Sequence, residues 1–242
     1  MKIFNVTGII KTLNLKPLHS TTEFDVTFAE HVSKIGGWLQ KEEALFLYKL
    51  AQNVQDGLKI VEIGSYEGKS TISLALGAGT NVQVIAIDPH TGDISEALAG
   101  KVINTYEKFL GNISAAGVSH KIKPMKMTSV EAAARYSDGP IGMLFIDGWH
   151  STQAVLEDID SWLPFMDPNG VVVFDDWNDE QVKSGINGRL AVLPKLLGAV
   201  GKEMAFTNNV AIRDSHLGHH ARRMHKRLNL LLKLSKLKKK LI

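Results

Sequence analysis

"VEIGSYEGKST", residues 61–71, joins a short apolar run to a turn that ends in Gly68-Lys69-Ser70. Loops that cradle nucleoside triphosphates share that ending, so the spacing has to be counted. Such a loop keeps four residues between its first glycine and Gly-Lys-Ser/Thr, which puts that glycine at position 63. The residue there is Ile63, and Gly64 comes one place too late. The dinucleotide pattern fails as well, because Tyr66 stands where its second glycine belongs. What survives is an acid on a strand (Glu62), a turn carrying Gly64 and Gly68, and a helix start whose free N–H groups can face a ligand.

Outward from this turn the chain alternates. Short β-branched runs lie at 58–63, 82–87, 121–127, 141–146 and 170–175, and helices are expected between them at 69–78, 93–116, 129–136, 151–163 and 180–200. Continuous apolar strands separated by helices imply a parallel sheet covered on both faces. Two last runs, "EMAFT" (203–207) and "NVAI" (209–212), flank Asn208-Asn209 and are expected to close the sheet as a hairpin. The fold class is therefore α/β: a doubly wound, Rossmann-like seven-stranded sheet, mostly parallel with a C-terminal antiparallel hairpin. Ligands are expected at the C-terminal strand ends. An N-terminal extension, 1–36, ends in a Gly36-Gly37 hinge; the domain proper is 37–212, opening with a helix in "WLQKEEALFLYKLAQNV"; residues 213–242 form a tail.

At 242 residues and 44% hydrophobic content the chain can bury one full core. No apolar run reaches the roughly 18–20 residues of a membrane span, and "MKIFNVTGIIKTLNLK" makes a poor signal peptide. Zero cysteines exclude disulfides and thiolate metal sites and fit a cytoplasmic protein. The net charge of +3 is unevenly spread, because residues 219–242 hold nine Lys/Arg and no acid, leaving 19 bases against 25 acids elsewhere. The acidic body is not a nucleic-acid surface. In the tail, Leu230, Leu234, Leu237 and Leu241 form a stripe largely opposite Lys226, Lys233, Lys236 and Lys240. This basic amphipathic helix suits the inner face of an anionic membrane, an acidic partner, or the protein's own acidic body.

Chemistry-bearing residues follow the strands in order. "VIAIDPHTGD" puts Asp88 after the second strand, and "KMTSVEAA" puts Thr128 and Ser129 after the third. "LFIDGWHS" supplies Asp147 and His150, and "VVFDDW" supplies Asp175 and Asp176. Together with the opening loop, this succession resembles the class I S-adenosylmethionine-dependent methyltransferases over roughly residues 37–212. Its last two motifs resemble the metal-binding segments of the catechol-type O-methyltransferases and, still more, of the macrocin/mycinamicin sugar O-methyltransferase group. The resemblance implies that Glu62, Gly64, Ser65, Gly68, Ser70, Asp88, Thr128, Ser129 and Asp147 surround S-adenosylmethionine, with Asp88 on the ribose hydroxyls and Thr128 and Ser129 toward adenine. His150 stands at the place of the catechol enzymes' catalytic lysine, as base, metal ligand or substrate contact.

Each residue also has a plainer reading. Gly64 and Gly68 serve any tight turn, Asp88 before Pro89 forms turns, and Ser129 can cap a helix. Lys69 reads as a solvated side chain and His90 as a loop residue. Trp149 and Trp177 are either core aromatics or a flat substrate wall. Three carboxylates converging at neighbouring strand ends repel one another without a cation, and hard oxygen ligands favour Mg²⁺ on Asp147, Asp175 and Asp176; Asp176 could instead cap the following helix.

The expected activity is S-adenosylmethionine-dependent and Mg²⁺-dependent O-methylation of a hydroxyl on a small molecule or sugar, with His150 and Asp147 catalytic. Two rivals stay open: a metal-independent N- or C-methyltransferase, and a non-catalytic cofactor-binding module tethered by its tail. An oligomer also stays open.

Overall fold

The computed structural model describes residues 18–92 and 104–240. Seven strands form one sheet: β1 (Lys59–Ile63), β2 (Gln83–Ile87), β3 (Ile122–Met125), β4 (Ile141–Ile146), β5 (Met166–Phe174), β6 (Leu196–Val200) and β7 (Glu203–Thr207). Their order is β3-β2-β1-β4-β5-β7-β6. The first five are parallel, and β7 runs antiparallel to both β5 and β6. The chain order reverses between β1 and β4, so a crevice opens at their C-terminal ends.

Among the described residues the helices are α1 (Thr22–Glu30), α2 (Lys41–Ala51), α3 (Lys69–Gly77), α4 (Tyr106–Ala115), α5 (Ser129–Ala134), α6 (Thr152–Trp162), α7 (Glu180–Gly188), α8 (Val210–Asp214) and α9 (His216–Lys240). Strand side chains alternate between faces, and the two faces feed two cores. Met143 and Phe145 of β4 pack with Phe24, Phe46, Ile72 and Phe109 from α1 to α4. Leu144 and Ile146 pack with Ala132, Ile159 and Ile186 from α5, α6 and α7. Every residue of β4 is buried, as a strand covered on both sides requires.

Sequence and structure part at three places. The expected helix over 180–200 stops at Gly188, and Leu196–Val200 is β6. A five-residue apolar run does not distinguish a strand from a buried helix turn by periodicity. The terminal hairpin is thus β6–β7, joined by Gly201-Lys202 with Gly201 in the left-handed region (φ 60). "NVAI" is not a strand: the Asn209 side chain accepts from the Ile212 N–H (3.2 Å) and caps α8. Of the helix expected over 93–116, residues 106–115 are helical and 93–103 lie outside the described residues.

The described part of the N-terminal extension is bound to the body. Phe24, Phe28, Val32 and Ile35 are buried in the first core, and Lys69 Nζ donates to the Gly37 carbonyl (3.3 Å), so this lysine is not merely solvated. Nor does the body end at 213. Leu217, Ala221, Met224 and Leu228 of α9 are buried, and Gly198 is a glycine because a Cβ there would sit 2.4 Å from the Ala221 carbonyl carbon. Leu230 is exposed, while Leu232 still packs against the second core; the side chains of Leu234, Leu237 and Leu241, with Lys236 and Lys240, lie outside those described. Among the described residues no helix is long and apolar enough to cross a membrane.

Anchoring through α9 gives a sharp contrast. Met224→Ala is expected to lower unfolding free energy by about 2–5 kcal/mol, whereas Leu230→Ala stays within about 0.5 kcal/mol, both read from denaturant midpoints.

Candidate active site

The strand registers fix what faces the crevice. Ile63 lies beside Ile87 and Ile146, Ile146 beside Phe174, and Phe174 opposite Met204. One residue further, the same registers bring Asp88, Gly64, Asp147, Asp175 and Glu203 into one row across the sheet. Backbone bonds continue the ladder there: Gly64 N to Ile87 O (2.8 Å), Asp147 N to Ile63 O (2.9 Å) and Asp175 N to Ile146 O (3.0 Å). Neighbouring strands are about 4.8 Å apart, so Asp147, Asp175 and Glu203 stand shoulder to shoulder. By the two-residue period they share the face of Phe145, Val173 and Ala205, which α2 and α3 cover.

The opening loop is built around this row. Gly64 has φ 89, and a Cβ there would lie 2.0 Å from the Asp147 carbonyl oxygen, so the glycine lets β4 approach. Gly68 has φ 92 and starts α3, but its absent side chain would face Phe109 and Ile113 of α4 rather than the crevice. Glu62 is fully buried; Thr71 donates to one of its oxygens, and the other, Oε1, has no hydrogen-bond partner. Burial pushes its carboxyl up to about 7 against the pull of the Ser70 and Thr71 hydroxyls. Ser70 therefore serves Glu62. Ser65 is buried and its hydroxyl lacks a partner.

Asp88 holds the loop in place. Its Oδ2 accepts from the Tyr66 N–H (2.7 Å) and its Oδ1 from the His90 N–H (2.6 Å), while Tyr66 and His90 both have positive φ. His90 is no ordinary loop residue. Its ring is buried against Tyr106 and Phe109, its Nδ1 lies 2.8 Å from Thr105 Oγ1, and burial lowers its pKa. Further along, the cap of α5 is Thr128 and not Ser129: the Thr128 hydroxyl accepts from Glu131 N (3.4 Å) while Glu131 Oε2 accepts from Thr128 N (3.0 Å). Ser129 accepts from the Trp162 indole (2.9 Å) and supports the buried Asp158, whose carboxyl burial raises to about 6.

The acidic end is larger than three residues. Burial, then Asp175 and Asp176, push the Asp147 carboxyl well above its usual range; burial, then Asp176, raise Asp175, and the two share a hydrogen bond. Glu203 is fully buried with neither oxygen hydrogen-bonded, and burial lifts its carboxyl well above the ordinary range. Glu43 of α2 leans in from above, accepting from Gln40 N (2.8 Å) and Lys202 N (3.0 Å), and burial pushes it up to about 7. Lys202 supplies the positive charge: its Nζ lies 2.7 Å from Asp176 Oδ1. Glu43, Lys202, Glu203 and His90 were missed in the sequence. In sequence Glu43 stands beside Glu42 in the first turn of α2, where acids are ordinary, and nothing there separates the two.

His150 sits at the mouth, with Nδ1 3.4 Å from Asp176 Oδ2, Nε2 3.7 Å from Asp147 Oδ1, and its side chain 45% exposed. Trp149 beside it is exposed; Trp177 is not a substrate wall, being buried with its indole donating to the Gly201 carbonyl (3.1 Å).

These donors suit the two expected ligands unequally. The unpartnered Glu62 Oε1 and Ser65 hydroxyl, with Asp88 beside them, match the ammonium and hydroxyl donors of S-adenosylmethionine. The carboxylates do not match Mg²⁺ as they stand: Asp176 is engaged by Lys202, Asp147 and Asp175 by one another. Among the described residues no group of three or more His, Asp or Glu side chains is arranged to hold a metal ion.

Residues 61–177 match the family described as "Methyltransferase domain". A protein of Acanthamoeba polyphaga mimivirus is 30% identical over 126 residues, 52% of this chain and 54% of its own length. The match thus spans about half the length of that curated relative. The O-methyltransferase TomG of Streptomyces achromogenes, crystallised with S-adenosylmethionine, has a TM-score of 0.57 at 17% identity, over 86% of this chain and 99% of that one. An O-methyltransferase of Bacillus cereus in complex with S-adenosylhomocysteine gives 0.57 at 16%, over 84% and 96%. At these identities the likeness establishes the fold, that of S-adenosylmethionine-dependent methyltransferases.

The raised Glu62 carboxyl has a pH consequence. Between its unfolded value of 4.5 and its folded value of about 7 the native state holds the extra proton, so its contribution is complete below that window and is lost as pH rises through it. Glu62→Gln, measured by denaturation without cofactor, should gain stability relative to the parent from pH 4 to pH 8, by roughly 3 kcal/mol at most.

Proposed function

We propose that this chain, whose residues 61–177 form a methyltransferase domain of class I fold, methylates a hydroxyl oxygen of a small molecule or sugar. The observation that carries the reading is His150: a half-exposed imidazole flanked by two carboxyl groups at the mouth of a crevice whose other side holds the unpartnered Glu62 and Ser65 acceptors. O-methyltransferases among the structural neighbours support the choice of oxygen.

Bound S-adenosylmethionine supplies an electrophilic methyl group. The residues around it have separable tasks. Glu62 Oε1 and the Ser65 hydroxyl accept hydrogen bonds from its polar end, which also satisfies two buried atoms. Each Asp88 oxygen already holds one N–H and keeps a lone pair for a ribose hydroxyl. His150 takes the proton of the acceptor hydroxyl, and Asp176, 3.4 Å from its Nδ1, stabilises the imidazolium that results. Trp149 offers the acceptor a flat apolar face. Mg²⁺ has no task in this proposal, because its expected ligands are already engaged. A cytoplasmic site of action, with the basic end of α9 turned to an anionic partner, belongs to the same reading.

The test is transfer of a labelled methyl group to diols, catechols and glycosides, with oxygen as the expected labelled atom. His150→Ala should bind S-adenosylhomocysteine normally and lower turnover by roughly 10²–10⁴-fold. Asp88→Ala should weaken that binding, in calorimetry, by about 1.5–3 kcal/mol. Label on nitrogen or carbon, or full turnover in His150→Ala, would overturn the reading.

A further inference from the structure

We propose that the Lys202 ammonium takes the place of a divalent cation on the acceptor side of the crevice, so that methyl transfer here is independent of Mg²⁺. The inference rests on the methyltransferase reading above and concerns how the acceptor oxygen is activated.

The lysine is placed by the fold. It occupies the tip of the β6–β7 hairpin, and continuing the β5–β7 register sets Asp175 against Glu203 and Asp176 against Lys202. Three hydrogen bonds hold that tip: Lys202 N to Glu43 Oε1 (3.0 Å), Trp177 N to Lys202 O (3.2 Å), and the Trp177 indole to Gly201 O (3.1 Å). The Lys202 and Asp176 side chains are each only 14% exposed at a separation of 2.7 Å. An exposed lysine drifts through many rotamers; this one is pinned at its base and paired at its end.

The charge pattern explains why a cation must be there. Asp147, Asp175 and Asp176 meet at two strand ends, and the fully buried Glu203 adds a carboxyl with no hydrogen bond of its own. Mg²⁺ would require oxygens at about 2.0–2.1 Å in near-octahedral array. An ammonium already bound to one of those carboxylates blocks that array and repels a second cation. It also has three N–H donors, of which Asp176 takes one, leaving donors for an acceptor oxygen in a site of reduced dielectric. In the transfer, that oxygen forms the C–O bond with its own electron pair, its proton goes to His150, and the departing thioether keeps the pair of the broken C–S bond.

The test uses Mn²⁺ as a paramagnetic probe on the full chain, both alone and with saturating S-adenosylhomocysteine, alongside turnover in excess chelator. The parent and Lys202→Arg should have no saturable Mn²⁺ site at millimolar ion, and the parent's turnover should not change in chelator. Lys202→Met, checked by thermal melting, should bind Mn²⁺ at least tenfold more tightly than the parent, because its carboxylates lose their counter-charge. Saturable Mn²⁺ binding by the parent, or loss of its turnover in chelator, overturns the proposal, whether or not Lys202→Met folds. Folded Lys202→Met with the parent's Mn²⁺ behaviour overturns it too. Failure to bind S-adenosylhomocysteine would instead strike the methyltransferase reading, which the Mn²⁺ titration of the parent does not depend on.

Discussion

Like charges stacked at the spacing of β-strands are the constraint on which this site depends. Asp147, Asp175 and Glu203 share one face because the registers of β4, β5 and β7 leave them in line, and α2 brings Glu43 over the same place. Burying so many carboxyls costs several kcal/mol per ion if each stays charged and unpaired. The fold meets this with raised carboxyl pKa values and with one ammonium delivered by a hairpin turn.

The two halves of the crevice obey different physics. On the β1–β2 side the backbone is set by sterics: Gly64 admits the Asp147 carbonyl, and the Asp88 carboxylate ties down two residues of positive φ. That side keeps two orphaned acceptors at Glu62 and Ser65. On the β5–β7 side Asp176 also has positive φ (47), but there charge sets the arrangement, with His150 placed near both Asp147 and Asp176. In the proposed reading the first half holds one reactant by shape and the second activates the other by charge.

Much of this was legible in the chain. Five apolar runs separated by helical stretches gave β1 to β5 in place, and acids after consecutive strands marked the crevice without any coordinates. The failures have physical causes. Leu196–Val200 was too short for its period to separate strand from helix, and that error carried the hairpin to Asn208-Asn209 and turned the capping Asn209 into a strand residue. The tail's leucine stripe was visible, but not that its first turns are core: Ala221 and Met224 look unremarkable until Gly198 lets the helix lie on β6.

By itself the sequence determined β1 to β5 and β7, and the presence of Glu62, Asp88, Asp147, His150, Asp175 and Asp176 at strand ends, because strand patterns and the residues next to them are local. Only the tertiary structure decided what neutralises the acids. Lys202 lies 26 residues after Asp176, and nothing in its own neighbourhood distinguishes it from the other lysines. Its role exists because an antiparallel register turns that distance in sequence into 2.7 Å in space.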